Sequence, residues 1–489
     1  MSIYNSLLFL FFSFLVGLTS CTRSSPVEEE PKIEEKIKYI PSITANTSSF
    51  SLLEKAFGSQ KKDQGYKIIS TKDGNYLITG LTEEKDLPTF NAIILKIDPN
   101  GNEIWRTIYG KPRISEIGCD LVELENGAFI VLNKVMKGGF YSGASLLKID
   151  REGNRIWDKR YRENSRFEPK NILINQDSQI LIGGVLAEKR RNHGYLLWVD
   201  KDGNKIKDQT YGGYNFPTNP KFAKYDENIN ATTFPLGEST NKIIQAQNGN
   251  YFFAGKTRTK AQKGNIPNGW LVRLNNEGEL IWDKGIVKSG VREVIDMFET
   301  ENNNLALISQ CSNPDLRKPT FGLSIYNQEG KLLLDEEYIH EKNNEVIQGL
   351  VLPSGDMILL GSVNSNQIVE NRQIDLKNIS DEEKEKLLDD GWKLHIAGQV
   401  DHEIKYEYLS KKIPLTDEEI QKNKDRNEDV WLCRVNSKGE VIWQKTFGGP
   451  GNDKVRSMAL DTDNNLILCG YSGSNDFREM DIWFFKMKP

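Results

Sequence analysis

The sequence predicts an all-β protein built from repeated four-stranded units, and three observations support this class. An Asp or Asn followed three residues later by Gly ends one apolar run after another along the 489 residues. A large apolar residue follows most of these glycines at a constant distance. The composition, 38% hydrophobic and 27% charged, is typical of a soluble globular chain and excludes a disordered coil or a polytopic membrane protein.

The first marker sets the length of the repeat. Successive Asp or Asn positions are separated by 52, 50, 75, 52 and 109 residues. A unit of about 51 residues therefore carries extra segments in two places, of about 24 and 58 residues. The marker occurs at Asp98/Gly101, Asp150/Gly153, Asp200/Gly203, Asn275/Gly278, Asn327/Gly330 and Asn436/Gly439.

Four and eight residues after each glycine stand positions that are mostly large and apolar. Because side chains alternate along a strand, a spacing of four places both on one face, and we expect each pair to pack in the core. Lys207 is the exception at the first position. The two sets are Trp105, Trp157, Lys207, Trp282, Leu334 and Trp443, then Tyr109, Tyr161, Tyr211, Ile286, Tyr338 and Phe447.

Short turn-forming pairs recur between the other strands, and an apolar strand follows each. Asp-Gly and Asn-Gly supply the positive φ angles of tight hairpins. Each unit therefore reads as four antiparallel strands, named A to D in chain order, and radial repetition of such units predicts a β-propeller. The pairs are Asp73-Gly74, Asn126-Gly127, Asp177-Ser178, Asn248-Gly249, Asn302-Asn303, Ser354-Gly355 and Asp463-Asn464.

The number of units predicts how the ring closes. Six units are complete, and a seventh, residues 455–488, ends before any D strand. Residues 52–58 have the same form as residues 442–448 and precede the first A strand. We therefore expect a seven-bladed β-propeller over residues 51–489, closed by an N-terminal strand that removes the exposed edges.

The N-terminus carries an export signal. Residues 7–18 are apolar and too few to span a bilayer, so residues 1–20 are predicted to be a signal peptide. Leu18-Thr19-Ser20-Cys21 resembles the bacterial lipobox, which implies lipid attachment at Cys21 and anchoring to a membrane. The alternative is an ordinary signal peptide with an incidental cysteine. Residues 21–50, rich in Pro, Ser and Glu, would form a flexible tether.

Two long inserts are predicted on one face of the disc. Residues 214–240 connect a D strand to the next A strand, and residues 364–428 connect strands B and C of blade 6. In an antiparallel blade these two kinds of connection leave from the same face. The larger insert has two capping-box helix starts, at Ser380 and Thr416, which predict a partly helical segment.

The candidate binding residues lie in these inserts, since variable loops on a rigid scaffold commonly carry function. The aromatic ones have an alternative role in pinning each loop to its own disc. The two histidines lie near carboxylates, but their separation matches no zinc spacing. The candidates are Tyr214, Phe216, Tyr225, Trp392, His395 and His402.

Chemistry outside the inserts is not predicted. The sequence contains no nucleophile signature, phosphate loop, dinucleotide fingerprint or zinc motif, so no cofactor, metal or catalytic residue is assigned. Residues 200–204 and 461–465 resemble calcium loops, but turn chemistry explains them. The net charge of −5 gives no reason to expect nucleic acid. Cys119, Cys311, Cys433 and Cys469 are expected to be buried thiols, with a Cys433–Cys469 bridge as the alternative.

The repeat at residues 429–436, 439–445 and 447–449 resembles a propeller repeat common in Bacteroidota lipoproteins. That resemblance implies a lipoprotein, but because such propellers bind many unrelated ligands it does not indicate a function. From the two inserts on one face we expect a monomeric, non-enzymatic lipoprotein of the outer membrane, on its periplasmic or outer side, that binds an envelope protein or a glycan through the loop-bearing face. The Asp-x-x-Gly-x-x-x-Trp element is also similar to repeats of quinoprotein dehydrogenases. An enzyme of the cell envelope is therefore the alternative function.

Overall fold

A computed structural model gives the fold of the chain from residue 36 onward, which forms one compact unit. It describes residues 37–40, 51–59, 61–83, 87, 89–188, 191–212, 236–261, 264–286, 291–313, 318–340, 343–364, 369–375, 380–389, 393–396, 399–400, 403–404, 407–414, 428–448, 453–473 and 480–489. The fold is all-β, and seven sheets form the blades of a β-propeller, as the sequence predicts.

The strands follow the predicted order A to D in blades 1 to 6 and A to C in blade 7. Two strands precede the first blade, β1 (Ile37–Ile40) and β2 (Ser51–Phe57). Blade 1 contains β3 (Asp63–Ser70), β4 (Tyr76–Glu83), β5 (Phe90–Ile97) and β6 (Glu103–Tyr109). Blade 2 contains β7 (Ser115–Glu123), β8 (Phe129–Lys137), β9 (Phe140–Ile149) and β10 (Arg155–Tyr161). Blade 3 contains β11 (Arg166–Ile174), β12 (Ile180–Glu188), β13 (Arg191–Val199) and β14 (Lys205–Tyr211), with β15 (Leu236–Gly237) paired to β13.

The remaining blades repeat this arrangement. Blade 4 contains β16 (Ser239–Gln245), β17 (Tyr251–Ala261), β18 (Gly264–Leu274) and β19 (Leu280–Ile286). Blade 5 contains β20 (Val291–Glu299), β21 (Leu305–Asn313), β22 (Lys318–Tyr326) and β23 (Leu332–His340). Blade 6 contains β24 (Asn343–Val351), β25 (Met357–Asn364), β31 (Glu428–Val435) and β32 (Val441–Phe447). The insert between β25 and β31 contains β26 (Val369–Asp375), α1 (Asp381–Asp389), β27 (Lys393–Ile396), β28 (Gln399–Val400), β29 (Glu403–Ile404) and β30 (Glu407–Pro414). Blade 7 contains β33 (Asp453–Leu460), β34 (Leu466–Ser472) and β35 (Asp481–Met487), and β2 pairs antiparallel with β35.

The core lies between blades, because each sheet sends alternate side chains to its two neighbours. On β4, Leu77 packs with residues of blade 2, while Tyr76 and Ile78 pack with residues of blade 7. The same alternation produces an apolar cluster at every junction between consecutive blades, including the junction of blades 7 and 1. Central strands buried on both faces explain why the B and C strands are nearly continuous apolar runs.

In blades 1 to 5, aromatic residues of the D strand contact the C–D turn of the next blade. Trp105 lies so close to Gly153 that a Cβ there would come within 2.9 Å of the indole. The hydroxyl of Tyr109 donates a hydrogen bond of 2.8 Å to the carbonyl oxygen of the same glycine. Gly153 also has a φ of 86°, so both the conformation and the close approach require glycine. The predicted core stripe is thus a contact between blades.

Each A strand contains a β-bulge at its middle, which the sequence did not predict. The bulges place one extra residue between the two paired halves of the strand, for example between Gly118 and Asp120 in β7. Such an irregularity bends a strand and increases its twist, as the innermost strand of a blade requires. The register shifts in the other A strands span 65–67, 169–171, 240–242, 294–296, 346–348 and 455–457.

Three segments differ from the prediction: the two inserts and the tether. The described part of the blade 6 insert is mainly a sheet in the order β26, β30, β27, and its helix content is the nine residues of α1. That helix begins at the predicted capping box, where the Glu383 amide and the Ser380 hydroxyl oxygen are 3.3 Å apart, whereas the helix start at Thr416 lies outside the described residues. Within the predicted tether, β1 pairs in parallel with β23 of blade 5. Strand β16 begins at Ser239, inside the predicted bounds of the smaller insert.

Candidate functional site

The two faces of the disc are built differently. The face that carries the A–B and C–D turns, here named the turn face, is uniform: thirteen five-residue turns share one pair of backbone hydrogen bonds. In the first, the Thr71 amide donates to the Asn75 carbonyl and the Gly74 amide to the Thr71 carbonyl. The fourth residue of these turns has a positive φ, as at Gly74 and Asn464, which confirms the predicted turn positions. The opposite face, named the loop face, carries the B–C and D–A connections and both inserts.

Two acidic residues of the turn face that resembled calcium ligands in the sequence accept hydrogen bonds within their own turns. The Asp200 carboxylate accepts hydrogen bonds from the amides of Asp202 and Asn204 and from the Asn204 side chain, at 2.7 to 3.0 Å. These donors hold the pKa of Asp200 below its usual value. Asp461 has the same turn contacts. In the part of the chain that the structure describes, no cluster of three His, Cys, Asp or Glu side chains could hold a metal ion.

The predicted binding residues lie largely outside the described residues. Tyr214, Phe216, Tyr225, Trp392 and His402 fall there, as does the predicted lipid attachment site, Cys21. The backbone of His395 lies in β27, opposite Tyr408 of β30. These six candidates therefore remain predictions, and the described part of the loop face supplies other residues.

An aromatic hairpin projects from the loop face of blade 2. Gly138 and Gly139 have φ angles of 59° and 84° and form a two-residue turn between Lys137 and Phe140. Phe140 is 73% exposed, and the adjacent Tyr141 is 38% exposed. The sequence reasoning missed both residues because it looked for long inserts. The available signal was a Gly-Gly pair followed by two aromatics in a B–C connection.

A charged cluster lies beside this hairpin at the junction of blades 2 and 3. Glu168 accepts hydrogen bonds from Lys134 at 3.2 Å and from Lys170 at 2.7 Å. The Lys134 ammonium also lies 5.9 Å from the centre of the Tyr141 ring. Burial raises the pKa of Glu168, but Lys170 and Lys134 lower it more, so this carboxyl is ionised at neutral pH. Together with Phe140, these residues form what we name the blade 2 aromatic cluster.

A second polar cluster lies at the outer part of the same junction. The Arg162 guanidinium lies 4.8 Å from the centre of the Tyr195 ring. The Asp208 carboxylate accepts a hydrogen bond of 2.7 Å from the Arg162 guanidinium and one of 2.6 Å from the Tyr195 hydroxyl. Burial opposes ionisation of Asp208, but hydrogen bonds from Lys205 and Tyr195 outweigh it and lower its pKa. A cavity of about 500 Å³ is lined by Lys159, Arg160 and Arg162 among others. Since Arg160 pairs with Glu116 and Arg162 with Asp208, these arginines are already neutralised.

The four described cysteines are free thiols. Cys433 and Cys469 are buried in different apolar clusters, between blades 5 and 6 and between blades 7 and 1. The expectation of buried thiols thus holds for them, and the structure contains no Cys433–Cys469 bridge. Burial raises the pKa of Cys119 to about 12, and it also raises the pKa of Cys433 and Cys469, so these three thiols are not nucleophiles at neutral pH.

Comparisons with known proteins give only distant structural likenesses. No protein family model and no curated protein match the chain. Among solved structures, Sqt1 from Chaetomium thermophilum is 8% identical, with a TM-score of 0.42 over 88% of this chain and 96% of that chain. BBS1N in complex with ARL6DN is 9% identical, with a TM-score of 0.42 over 91% and 98%. An endo-arabinase from Bacteroides thetaiotaomicron is 13% identical, with a TM-score of 0.34 over 59% of this chain and 99% of that chain.

Among the described residues, no helix is long and apolar enough to cross a membrane.

Proposed function

We propose that this protein is a membrane-anchored binding lipoprotein that recognises an envelope protein or a glycan through its loop face. The observation that carries this proposal is the asymmetry of the two faces. Thirteen turns on one face share a single geometry, while one connection on the other face, between Asn364 and Glu428, contains its own sheet and helix. A rigid scaffold with variable loops on one side is how binding surfaces are commonly built.

The blade 2 aromatic cluster gives this face its binding chemistry. Phe140 and Tyr141 present ring surface to solvent at low entropic cost, since each aromatic side chain has only two rotatable bonds. Lys134, Glu168 and Lys170 supply ionised donors and an acceptor beside the rings. Aromatic surface next to charged hydrogen-bonding groups suits a sugar ring or the polar rim of a protein interface.

The test of this recognition face is excision of the large insert. Removing residues 370–424 and joining the ends through a short Gly/Ser linker should leave the propeller folded, because loop length alters closure entropy only slowly. Capture of membrane partners by crosslinking should fall. The matched control is a Lys201→Glu, Glu329→Lys variant, which changes the turn face and should capture normally. A folded excision variant that captures every partner would place recognition elsewhere.

We propose further that β2 closes the ring as the D strand of blade 7. Two contacts support this proposal because they repeat those of true D strands. Trp483 donates to Glu54 at 2.9 Å, as Trp431 of blade 6 donates to Gln444 of its own D strand at 3.0 Å. Leu53 lies over Gly101 as Trp105 lies over Gly153. Deleting residues 51–58 should lower the melting temperature by several degrees, and a variant that melts like the parent would contradict closure.

The anchor is proposed at Cys21, on the strength of its lipobox. Replacing Cys21 with Ala should abolish incorporation of labelled fatty acid and release the protein from the membrane. A Cys119→Ala variant is the matched control, since that thiol lies within the propeller. A Cys21→Ala protein that still carried labelled lipid would remove the anchor from the proposal without affecting the recognition face.

A further inference from the structure

The turn-face half of the central channel contains a cavity that the proposed recognition face does not use. It has a volume of about 630 Å³ and is bounded by the A strands β3, β7, β11 and β16 of blades 1 to 4. Its wall has two levels. Lys67, Asp120 and Lys242, each directly after a bulge, form the inner level, and aliphatic side chains form the outer level, nearer the turns.

The outer level is an apolar collar. We define the collar as Ile69, Val122, Leu173 and Ile244, which stand two residues beyond the inner level in each of the four A strands. All four are only half buried, so part of each side chain faces the cavity. Half-buried aliphatic side chains along one wall of a cavity of this size are what ligand sites commonly present to the body of a small molecule.

The inner level has two ammonium groups paired with carboxylates. Lys67 lies 3.3 Å from Asp120, and Lys242 lies 3.1 Å from Asp296 of blade 5. Burial opposes the charge of Lys242, but Asp296 and Asp120 outweigh it, so its pKa is raised and the group stays protonated. The lysine side chains are about a quarter exposed, at 23% and 25%.

Hydrogen-bond donors exceed acceptors at this level. The Asp120 carboxylate accepts from the amides of Leu121 and Ile172, in addition to its lysine. Asp296 likewise accepts from the amides of Met297 and Gly349. Each ammonium group has three donors and, within the described residues, one carboxylate partner. The backbone amides thus compensate much of the acidic charge, and both lysines retain donors for a further acceptor.

We propose that this channel cavity binds an amphipathic anion, a molecule with a carboxylate or sulfonate head and an apolar body. The head would accept hydrogen bonds from Lys67 and Lys242, and the body would lie against the collar. Charge-assisted hydrogen bonds in a partly desolvated site favour such a head over a neutral one. The ligand enters from the turn face, opposite to the inserts.

The experiment uses the full chain and the fluorescent probe anilinonaphthalene sulfonate, which has a sulfonate head and an apolar body. The parent should bind the probe saturably with one site per chain. Decanoate should displace it, and decanol, which has the same body without the charge, should displace it at least about tenfold less effectively. The variant lacking residues 370–424 should bind the probe like the parent, which separates this site from the loop face.

Two variants locate the site. Lys67→Met combined with Lys242→Met should weaken probe binding by about tenfold or more, while Lys148→Met on the outer rim should leave it unchanged. Should the double variant fail to fold, Ile244→Gln, which changes a half-buried collar residue, should weaken binding to a similar degree. Binding that is not saturable, equal displacement by decanol, or unchanged affinity in a folded double variant or in Ile244→Gln would each overturn the proposal.

Discussion

Asp461 is predicted to stabilise the junction of blades 7 and 1 in a pH-dependent manner. Its carboxylate lies 2.8 Å from the Lys486 ammonium and accepts a hydrogen bond of 3.0 Å from the hydroxyl of Tyr76 in blade 1. Burial raises its pKa, but the hydrogen bonds from Lys486, Asn465 and Tyr76 lower it more, from 3.8 to about 2. The side chain is 2% exposed, so solvent screening is slight.

The magnitude follows from the shift in pKa. A difference of roughly two units between the folded and unfolded chains corresponds to about 2 kcal/mol of folding free energy. Because the folded pKa is the lower one, this contribution is complete above about pH 4 and is lost as the pH falls toward 2. Asp461→Asn should therefore destabilise the protein by about 2 kcal/mol at pH 7 and by much less at pH 2.5.

The assay is urea unfolding at both pH values. Asp200→Asn is the matched control, since Asp200 makes the same turn contacts and its pKa is lowered mainly by the hydrogen bonds from Asn204. It should destabilise the protein clearly less than Asp461→Asn at pH 7. Equal losses for the two variants at pH 7, or a loss for Asp461→Asn that is the same at both pH values, would refute the reasoning.

Three further predictions concern packing. Gly278→Ala should destabilise the protein by about 2 to 4 kcal/mol, because a Cβ there would lie 2.7 Å from Trp198, whereas Gly74→Ala, at a similar φ in open space, should cost about 1 kcal/mol. Thermal unfolding of both variants tests this, and equal losses would contradict it. Tyr338→Phe should lower the free energy of unfolding by about 1 to 2 kcal/mol through loss of its buried 2.7 Å hydrogen bond to Gly439, and this loss should exceed that of Tyr66→Phe, whose bond to Gln64 is 3.4 Å. Denaturant titration measures both losses, and a larger loss for Tyr66→Phe would contradict the prediction. Cys433 and Cys469 should resist a thiol reagent in the native protein and react on unfolding; rapid native labelling, read by mass spectrometry, would contradict their burial.

The repeat could be predicted from the sequence because local chemistry determines it. The first residue of each C–D turn is Asp or Asn since its side chain accepts the turn amides, as Asp98 does from Asn100 and Asn102. Glycine follows because the turn requires a positive φ. The exception at Lys207 also has a local explanation. In blade 3, Trp198 of the C strand takes the place of the D-strand tryptophan and contacts Gly278 of the next blade. The Lys207 ammonium lies 4.6 Å from the centre of the Trp198 ring.

Features that depend on partners in other blades could not be predicted in this way. Asp120 contacts Lys67 of the preceding blade and the Ile172 amide of the following one, each about 50 residues away. Nothing in the neighbouring sequence distinguishes it from a solvated aspartate. The bulges that aim these side chains arise from the twist of the innermost strands. Phe140 was missed for a related reason, because a two-residue connection offers no insert to mark it.

The most direct test of the central claim, recognition through the loop face, is site-specific photocrosslinking. Benzoylphenylalanine would be placed on the loop face, at Phe140 or Tyr141, and on the turn face, at the exposed Lys201 or Glu329. After irradiation of cells, each protein would be purified and its adducts compared by mass spectrometry. We expect a shared partner adduct from the loop-face positions and none from the turn-face positions. Adducts formed mainly from Lys201 or Glu329 would contradict the account.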